Sequence, residues 1–236
     1  MLTCDQLAIV QETFRLNIDI NFDNRAITAI IGPSGAGKST LLMAIAGFST
    51  LQSGQILLDG VPFTTEAPGK RPVSMLFQDN NLFPHLSIFE NVGLGLQSSG
   101  RLSVSEQDKV FCVLDRVGVR SMAKRKPAAL SGGQQSRAAL ARVLLADRPI
   151  VLLDEPFAAL GPALKDEMLD LLHQVLVQDA GATVLMVTHD PADALRVANY
   201  VAWVEDGVVH APLPTAEIFA FPPAAMQKYL GKIGYN

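Results

Sequence analysis

One stretch of this sequence, Gly32-Pro33-Ser34-Gly35-Ala36-Gly37-Lys38-Ser39-Thr40, determines most of what can be predicted about the chain. Its first eight residues match the pattern Gly-x-x-x-x-Gly-Lys-Ser/Thr in full. An apolar, strand-like run at residues 26–31 precedes it, and a helix is predicted to begin near Lys38. Glycines that tolerate positive φ let backbone N–H groups surround a polyphosphate, and the helix N-terminus adds the positive end of its dipole. The stretch therefore predicts a phosphate-binding loop.

Two side chains in this loop have chemical roles of their own. Lys38 is placed to reach the β- and γ-phosphates of a nucleoside triphosphate, and the Ser39 hydroxyl can ligate Mg²⁺. The alternative, a glycine-rich turn without a ligand, is disfavoured by the strand and helix that flank the motif. All nine residues, 32–40, are therefore predicted to bind nucleotide.

A second motif, Ile150-Val151-Leu152-Leu153-Asp154-Glu155, brings two acidic residues to the end of an apolar strand. Ligands of open α/β sheets bind at the carboxyl ends of the strands. Asp154 suits the coordination shell of Mg²⁺, and Glu155 could hold the attacking water and accept its proton. Two acidic residues after a strand are more often solvent-exposed residues at the start of a loop. The phosphate loop upstream favours the functional interpretation instead.

Composition excludes several classes of protein. The 236 residues are 49% hydrophobic and 18% charged, and 19 Lys+Arg against 23 Asp+Glu give a net charge of −4. The chain is too apolar for a disordered protein or a coiled coil, and its slight acidity gives no reason to expect nucleic-acid binding. No signal peptide is evident, and every apolar run is far shorter than the roughly 18 residues that span a bilayer. We therefore expect a soluble cytoplasmic protein whose only membrane contact is through a partner.

The two cysteines carry no metal or disulfide signal. Cys4 and Cys112 lie far apart and match no metal-ligand spacing. Both are expected to be small, buried, apolar residues.

Strand-like and helical segments alternate in an order typical of an α/β protein. Helical spacing dominates residues 87–145, with an apolar stripe at Val110, Val113, Leu114 and Val117. A strand, helix and strand follow at residues 150–153, 162–178 and 183–187, and their fully apolar strands predict a parallel sheet covered on both faces. Earlier strands are predicted at residues 26–31, 54–60 and 72–77, and a short helix at 224–230 in the proline-rich tail.

A third motif, Leu130-Ser131-Gly132-Gly133-Gln134, precedes a predicted helix at residues 135–145. The three motifs, in this order, resemble those of the nucleotide-binding subunit of ABC transporters. The resemblance implies that Ser131, Gly132, Gly133 and Gln134 cap the γ-phosphate held by the opposite protomer, so that a head-to-tail homodimer encloses two ATP molecules. A hydroxyl, exposed N–H groups and a helix dipole together suit an anion. The alternative is a plain N-capping turn.

The resemblance assigns roles to further residues. Gln78, at a predicted strand end, corresponds to a glutamine that senses Mg²⁺ and the attacking water, and His189 corresponds to a switch histidine that contacts the γ-phosphate. The implied catalytic residues are Glu155, His189 and Gln78, and the implied Mg²⁺ ligands are Ser39, Gln78 and Asp154. Without the resemblance, Gln78 would be an ordinary polar strand end.

Two positions depart from the family pattern. Gly161 stands where the family has an aspartate that helps to couple the two sites, and we expect a backbone turn there that aspartate cannot share, since Pro162 follows. The stretch that should supply an aromatic residue for adenine reads Ala8-Ile9-Val10-Gln11, with Phe14 the nearest aromatic. Adenine is therefore expected to rest on aliphatic surface.

A finer resemblance, carried by residues 71–83 and 91–96 and by the short length, is to the ATPase subunits of bacterial thiamine importers. Import of another solute (iron, a polyamine or an anion) remains an alternative, as does a soluble non-transport ABC ATPase. The latter usually has tandem cassettes or long coiled coils, which this chain lacks. A module that holds ATP without turnover is favoured by Gly161 alone and opposed by Glu155 and His189.

Together these observations predict an α/β fold, a P-loop NTPase core of the ABC ATPase type with a small antiparallel β subdomain and an inserted helical subdomain. The predicted division is core and β subdomain at 1–77 and 146–210, helical subdomain at 78–145 and C-terminal tail at 211–236. The resemblance implies permease subunits that dock on residues 80–88, with Phe83 and Leu86 as apolar anchors, and indirectly a periplasmic solute-binding protein. No nucleic-acid partner is expected, and the implied location is the cytoplasmic face of the inner membrane.

Overall fold

The fully apolar runs of the sequence become the central strands of one mixed sheet. A computed structural model describes residues 1–11, 14–96 and 101–231. Eleven strands occur within these ranges: β1 (Leu2–Gln11), β2 (Phe14–Phe22), β3 (Ile27–Ile31), β4 (Ser53–Leu58), β5 (Val61–Pro62), β6 (Val73–Leu76), β7 (Ile150–Asp154), β8 (Thr183–Val187), β9 (Tyr200–Glu205), β10 (Val208–Val209) and β11 (Leu213–Pro214). The eight α-helices of the same ranges are α1 (Lys38–Ala46), α2 (Ile88–Gly93), α3 (Val104–Arg116), α4 (Gly132–Leu145), α5 (Pro162–Leu172), α6 (Pro191–Val197), α7 (Thr215–Ala220) and α8 (Ala224–Leu230).

The sheet joins a parallel half to an antiparallel half. Its strand order is β5-β4-β1-β2-β10-β9-β3-β8-β7-β6, and β11 pairs with β9. The strands β9, β3, β8, β7 and β6 are parallel, whereas β5, β4, β1 and β2 are antiparallel, as predicted. Because parallel strands end at one edge, the residues that follow β3, β7 and β8 lie close together.

Helices α2, α3 and α4 share a hydrophobic cluster that is separate from the sheet. The stripe predicted from helical spacing, Val110, Val113, Leu114 and Val117, is buried in this cluster. Cys112 is exposed, so the prediction that both cysteines are buried is wrong for this residue, whereas Cys4 is buried. Position 112 falls off the stripe because the residues that share a helix face recur three or four positions apart.

The predicted helix at 162–178 has two parts. The α-helix α5 ends at Leu172, and the chain continues as a π-helix, His173–Asp179. The tail contains α8 where a helix was predicted, but also α7 and β11, which were not predicted. Both are short, and a turn and a half of helix carries too little apolar periodicity to be recognised.

Arg71 fixes the end of the helix that follows the phosphate loop. Its side chain is buried and its Nη1 donates to the carbonyl oxygens of Ala44 and Ile45 at 2.8 Å, in the last turn of α1. Its Nε and Nη2 donate to the carbonyl oxygens of Glu66 and Thr64. One guanidinium thus donates to four carbonyl groups, two of them in the last turn of α1, where the Ala44 oxygen also accepts from the Gly47 N–H.

Replacing Arg71 with methionine should lower the free energy of unfolding by about 3 kcal/mol, because four carbonyl oxygens lose a donor at once and only that of Ala44 keeps the Gly47 N–H. The urea midpoint of the full chain measures the change. Lys70→Met is the matched control, since Lys70 is the exposed neighbour, and it should leave the midpoint unchanged. Equal midpoints for the two variants would show that Arg71 does not stabilise the fold.

Candidate functional site

The loop between β3 and α1 requires glycine at two positions. Gly37 is the N-cap of α1 with φ +102°, and a Cβ there would lie 2.6 Å from Cζ of Phe14. A Cβ on Gly32 would lie 2.2 Å from the carbonyl oxygen of Val204. Both distances are too short for a real contact, so the loop can take this path only with glycine at these positions.

Lys38 occupies the centre of the loop. It is buried, and its Nζ donates to the carbonyl oxygens of Gly32 and Pro33, both at 2.8 Å. Burial lowers the pKa of its ammonium group, while the charges of Glu155 and Asp154 act in the opposite direction. The loop therefore surrounds one partly desolvated positive charge, next to the free N–H groups of a helix N-terminus.

An oxygen pair lies beside this charge. Ser39 Oγ donates to Oδ1 of Asp154 at 3.0 Å, which joins the start of α1 to the end of β7. Burial raises the pKa of the Asp154 carboxyl, and the hydrogen bond from Ser39 opposes this. Hydroxyl and carboxylate oxygens are the hard donors that Mg²⁺ prefers, and Mg²⁺ typically takes only one or two carboxylates. No group of three or more His, Cys, Asp or Glu side chains that could hold a metal occurs in the described ranges.

Glu155 and His189 face each other across the ends of β7 and β8. His189 Nε2 lies 2.6 Å from Oε1 of Glu155. The Glu155 backbone is left-handed, with φ +47°, and its N–H donates to the carbonyl oxygen of Val187 at 3.1 Å. A left-handed backbone costs a non-glycine residue roughly 1–3 kcal/mol, and seven other non-glycine residues of the described chain share it.

One cleft of about 420 Å³ collects these groups, since Lys38, Ser39, Glu155 and His189 all line it. Phe14 lines the same cleft and also the neighbouring one of about 380 Å³. Of the aliphatic residues that we expected to support adenine, Ala8 and Ile9 are buried in β1 and Val10 is exposed, but none of the three lines either cleft. An aromatic ring, at the first position of β2, lies beside the phosphate loop instead.

The third motif forms the start of α4, three residues earlier than predicted. Ser131 is the N-cap: its Oγ accepts from the Gln134 N–H, and Gln134 Oε1 accepts from the Ser131 N–H at 3.0 Å. This capping box explains the early start. Gly133 lies against α5, where an added Cβ would be 2.6 Å from Leu164 Cδ2.

The structure does not bring all of the predicted site residues together. None of the four residues Ser131, Gly132, Gly133 and Gln134 lines either cleft at the phosphate loop. Gln78 is exposed, two residues past the end of β6, and it too is outside these clefts. Within one protomer, then, the phosphate loop, Glu155 and His189 line one cleft with Asp154 bonded to Ser39, whereas Gln78 and residues 131–134 lie outside it.

Gly161 does not have the conformation that we expected. Its φ of −66° and ψ of 156° are extended, which any residue can adopt, and an added Cβ would meet no atom within 4 Å. The expectation of a turn closed to aspartate is therefore wrong. Pro162 does restrict this residue to extended backbone, but extended backbone is the ordinary conformation of an N-cap, and Gly161 is the N-cap of α5.

Gly161→Asp should therefore fold normally and raise the free energy of unfolding by about 0.3 kcal/mol, because an aspartate side chain can cap α5. Gly161→Ala is the matched control, since it adds a Cβ without a capping group and should fall below the aspartate variant by about 1 kcal/mol. Urea unfolding of the three proteins gives the order. An aspartate variant less stable than the alanine variant contradicts the geometry.

Sequence reasoning missed two side chains that hold the segment after Gln78. Arg142 of α4 donates to the carbonyl oxygens of Asn81 at 2.8 Å and Asn80 at 3.1 Å. Asn91 is buried, and its side chain exchanges hydrogen bonds with the backbone of Phe83. These partners are 8 to 62 residues apart in sequence, so no local pattern could have indicated them.

The two residues predicted to anchor a docking partner differ in exposure. Phe83 is exposed, as predicted, whereas Leu86 is only partly exposed. Asn91 also donates to the Leu86 carbonyl oxygen, which holds this end of the segment against α2.

A parallel sheet with a phosphate loop, a buried lysine and a serine–aspartate pair at its carboxyl edge defines a P-loop nucleotide-binding protein. Comparison with protein families gives a match to the ABC transporter family over residues 16–158. This chain belongs to the ABC transporter family.

Relatives are similar over nearly their whole length. The thiamine import ATP-binding protein ThiQ of Cereibacter sphaeroides is 54% identical over 231 residues, which cover 98% of this chain and 100% of that protein. The protein of the same name from Mesorhizobium japonicum is 50% identical over 222 residues, covering 94% and 87% of the two chains.

Solved structures agree with the predicted fold class. The cbiO1 protein of Clostridium perfringens, described as part of the ABC transporter complex cbiONQ, superposes with a TM-score of 0.83 at 27% identity, covering 97% of this chain and 93% of that one. The dimeric ABC transporter cassette MJ0796 gives 0.77 at 28% identity, covering 91% and 99%. The prediction of a P-loop core of the ABC ATPase type is confirmed. No helix within residues 1–11, 14–96 and 101–231 combines the length and the hydrophobicity that a bilayer crossing needs.

Proposed function

We propose that this chain is the ATP-hydrolysing subunit of an importer that takes up thiamine through separate membrane subunits. The observation that carries the ATPase activity is the single cleft lined by Lys38, Ser39, Glu155 and His189. The assignment to thiamine is supported by relatives that are 46–54% identical and carry the name thiamine import ATP-binding protein.

Binding of ATP depends on the phosphate loop. The N–H groups of residues 32–40 and the N-terminus of α1 hold the phosphates, and Lys38 supplies the positive charge. Phe14 supports the adenine ring, since base–aromatic stacking contributes roughly 1–3 kcal/mol. Ser39 and Asp154, joined by a hydrogen bond, would hold Mg²⁺, and Gln78 would join them if its segment moves towards the cleft. The ion would neutralise charge on the phosphate oxygens.

Hydrolysis is assisted by Glu155. A water molecule attacks the γ-phosphorus, the bond from that phosphorus to the bridging oxygen of the β-phosphate breaks, and Glu155 takes a proton from the water. The products are ADP and inorganic phosphate. His189, whose Nε2 lies 2.6 Å from Glu155, orients the carboxylate before ATP binds and donates to the γ-phosphate afterwards.

A second copy of the chain completes each site. Residues 131–134 of one protomer cap the γ-phosphate bound by the other, which agrees with their position away from the phosphate loop of their own chain. In this arrangement residues 1–77 and 146–210 are the core, 78–145 the helical subdomain and 211–236 the tail. The permease docks on residues 80–88 at the cytoplasmic face of the membrane, and a periplasmic binding protein delivers the solute on the other side.

Uptake of labelled thiamine by a strain that cannot synthesise it tests the proposal. Deletion of this chain should abolish growth on limiting thiamine, and the parental chain, but not Glu155→Gln, should restore it. Unchanged thiamine uptake in the deletion strain would overturn the solute and leave iron, a polyamine or an anion to be tested by the same assay. Purified chain that does not hydrolyse ATP, alone or with its permease, would overturn the ATPase assignment itself.

A further inference from the structure

The segment that carries His189 is held by a lysine from a distant helix. Lys165 Nζ lies 2.7 Å from Oδ2 of Asp190 and 2.6 Å from Oδ1 of Asp193. The lysine side chain is only 17% exposed and that of Asp193 only 12%, whereas that of Asp190 is 49% exposed. Exposed ion pairs contribute little, whereas removing one partner of a largely buried pair such as Lys165–Asp193 leaves an uncompensated charge.

The two carboxylates control the residues on both sides of His189. Asp193 Oδ2 accepts from the hydroxyl of Thr188 at 2.6 Å, in a buried hydrogen bond, and the Asp190 N–H donates to the same hydroxyl at 3.0 Å. Asp190 also caps α6, since its Oδ1 accepts from the Ala192 N–H. Lys165 thus bridges the two side chains that fix residues 188 and 190, and thereby the backbone between them.

Lys165 lies in the first turn of α5, where its own N–H donates to the carbonyl oxygen of Gly161 at 2.9 Å. The neighbouring Leu164 packs against Gly133 at the start of α4. The first turn of α5 therefore contacts the start of α4 through Leu164 and the histidine segment through Lys165.

The charges of the network reinforce one another. Burial acts to lower the pKa of Lys165, but hydrogen bonds from its ammonium group to Asp190 and Asp193 outweigh this and raise it. The hydrogen bond from Lys165 lowers the pKa of Asp190. Both groups are therefore charged at neutral pH.

We infer that Lys165 is a positioning residue for His189, and that it links the first turn of α5 to the switch histidine within one protomer. The inference rests on the proposed function, because it gives His189 its role in turnover. This chain has Gly161 where the family has an aspartate. Lys165, one turn later in α5, connects the segment that follows Gly161 to the segment that carries His189.

The chain offers a matched control. Arg196 of α6 forms ion pairs with Asp166 and Asp170 of α5, at 3.1 and 2.7 Å. It connects the same two helices as Lys165, but it does not contact residues 188–190. If packing of α5 on α6 were all that mattered, Arg196→Met and Lys165→Met would have equal effects.

ATP turnover by the full chain should therefore fall about tenfold in Lys165→Met, with KM for ATP within about twofold of the parental value, because the phosphate loop is untouched. Lys165→Arg, which can still bridge both carboxylates, should recover at least about half of the parental kcat. Arg196→Met should retain kcat within about twofold. If Lys165→Met does not fold, Lys165→Gln replaces it, since glutamine keeps a donor without the charge.

Three results would overturn the inference: parental kcat in Lys165→Met, an equal loss in Arg196→Met, or a loss in Lys165→Arg as large as that in Lys165→Met. If the parental chain turns over ATP and Lys165→Met does so at the same rate, the inference fails but the proposed function stands. A parental chain without ATP turnover removes the proposed function and the inference with it.

Discussion

Glutamine in place of Glu155 should slow ATP hydrolysis by at least about 100-fold while ATP still binds. The amide can hold a water molecule but cannot take its proton. The substitution changes little else: Oε1 of glutamine can still accept from His189 Nε2, and the left-handed backbone at position 155 suits glutamine as well as glutamate. A fall in turnover would therefore report on the chemical step.

Single-turnover hydrolysis and nucleotide affinity, measured on the same preparation, separate chemistry from binding. Glu217→Gln is the control, since Glu217 is an exposed residue of α7 away from the cleft. With hydrolysis blocked, the ATP-bound homodimer should accumulate and elute earlier than the monomer on size-exclusion chromatography. Hydrolysis at the parental rate would remove Glu155 from the role of base.

The parts of the site that the sequence predicted are those built from consecutive residues. A phosphate loop is one uninterrupted stretch, and Asp154 and Glu155 follow a strand directly, so periodicity and motif place them without knowledge of the rest of the fold. Ser131 was not placed in this way: the helix was predicted from residue 135, and N-capping was only the alternative interpretation, although the capping box with Gln134 is also local.

The parts that the sequence did not predict depend on contacts between distant segments. Lys165 reaches Asp190 across 25 residues and Arg142 reaches Asn80 across 62. Phe14 became part of the cleft because β2 pairs with β10 beside the parallel strands, which is a property of the sheet and not of the local sequence. Lysine and arginine at these positions look like ordinary surface charges until the helices are packed.

The prediction for Gly161 failed for a different reason. A departure from a family pattern suggested a special backbone, but the structure has an ordinary N-cap with open space around it. The missing carboxylate is thus a change of chemistry without a change of shape. The lysine bridge from α5 begins one turn after this position and reaches the histidine segment of the same protomer.

Lys38→Ala should weaken ATP binding by roughly 1.5–3 kcal/mol, or about 10- to 150-fold, because a desolvated polyphosphate loses a charge-assisted hydrogen bond. Isothermal titration with ATP and Mg²⁺ measures this directly. Lys70→Ala, which removes an exposed lysine, should bind ATP as the parental chain does. Parental affinity in Lys38→Ala would exclude the phosphate-loop role.

The fold itself should tolerate this substitution. Burial lowers the pKa of Lys38, so the ammonium is costly to keep in the loop, and removing it takes away that cost together with the hydrogen bonds to Gly32 and Pro33. Thermal unfolding without nucleotide should therefore change little. Ligand stabilises the folded state by RT ln(1 + [L]/Kd), so at an ATP concentration above the parental Kd but below that of Lys38→Ala, the parental chain should gain thermal stability where the variant gains almost none. If Lys38→Ala unfolds at the parental temperature without ATP and this temperature does not rise with ATP, the whole defect lies in phosphate binding. A large drop without ATP would show instead that Lys38 acts by stabilising the loop.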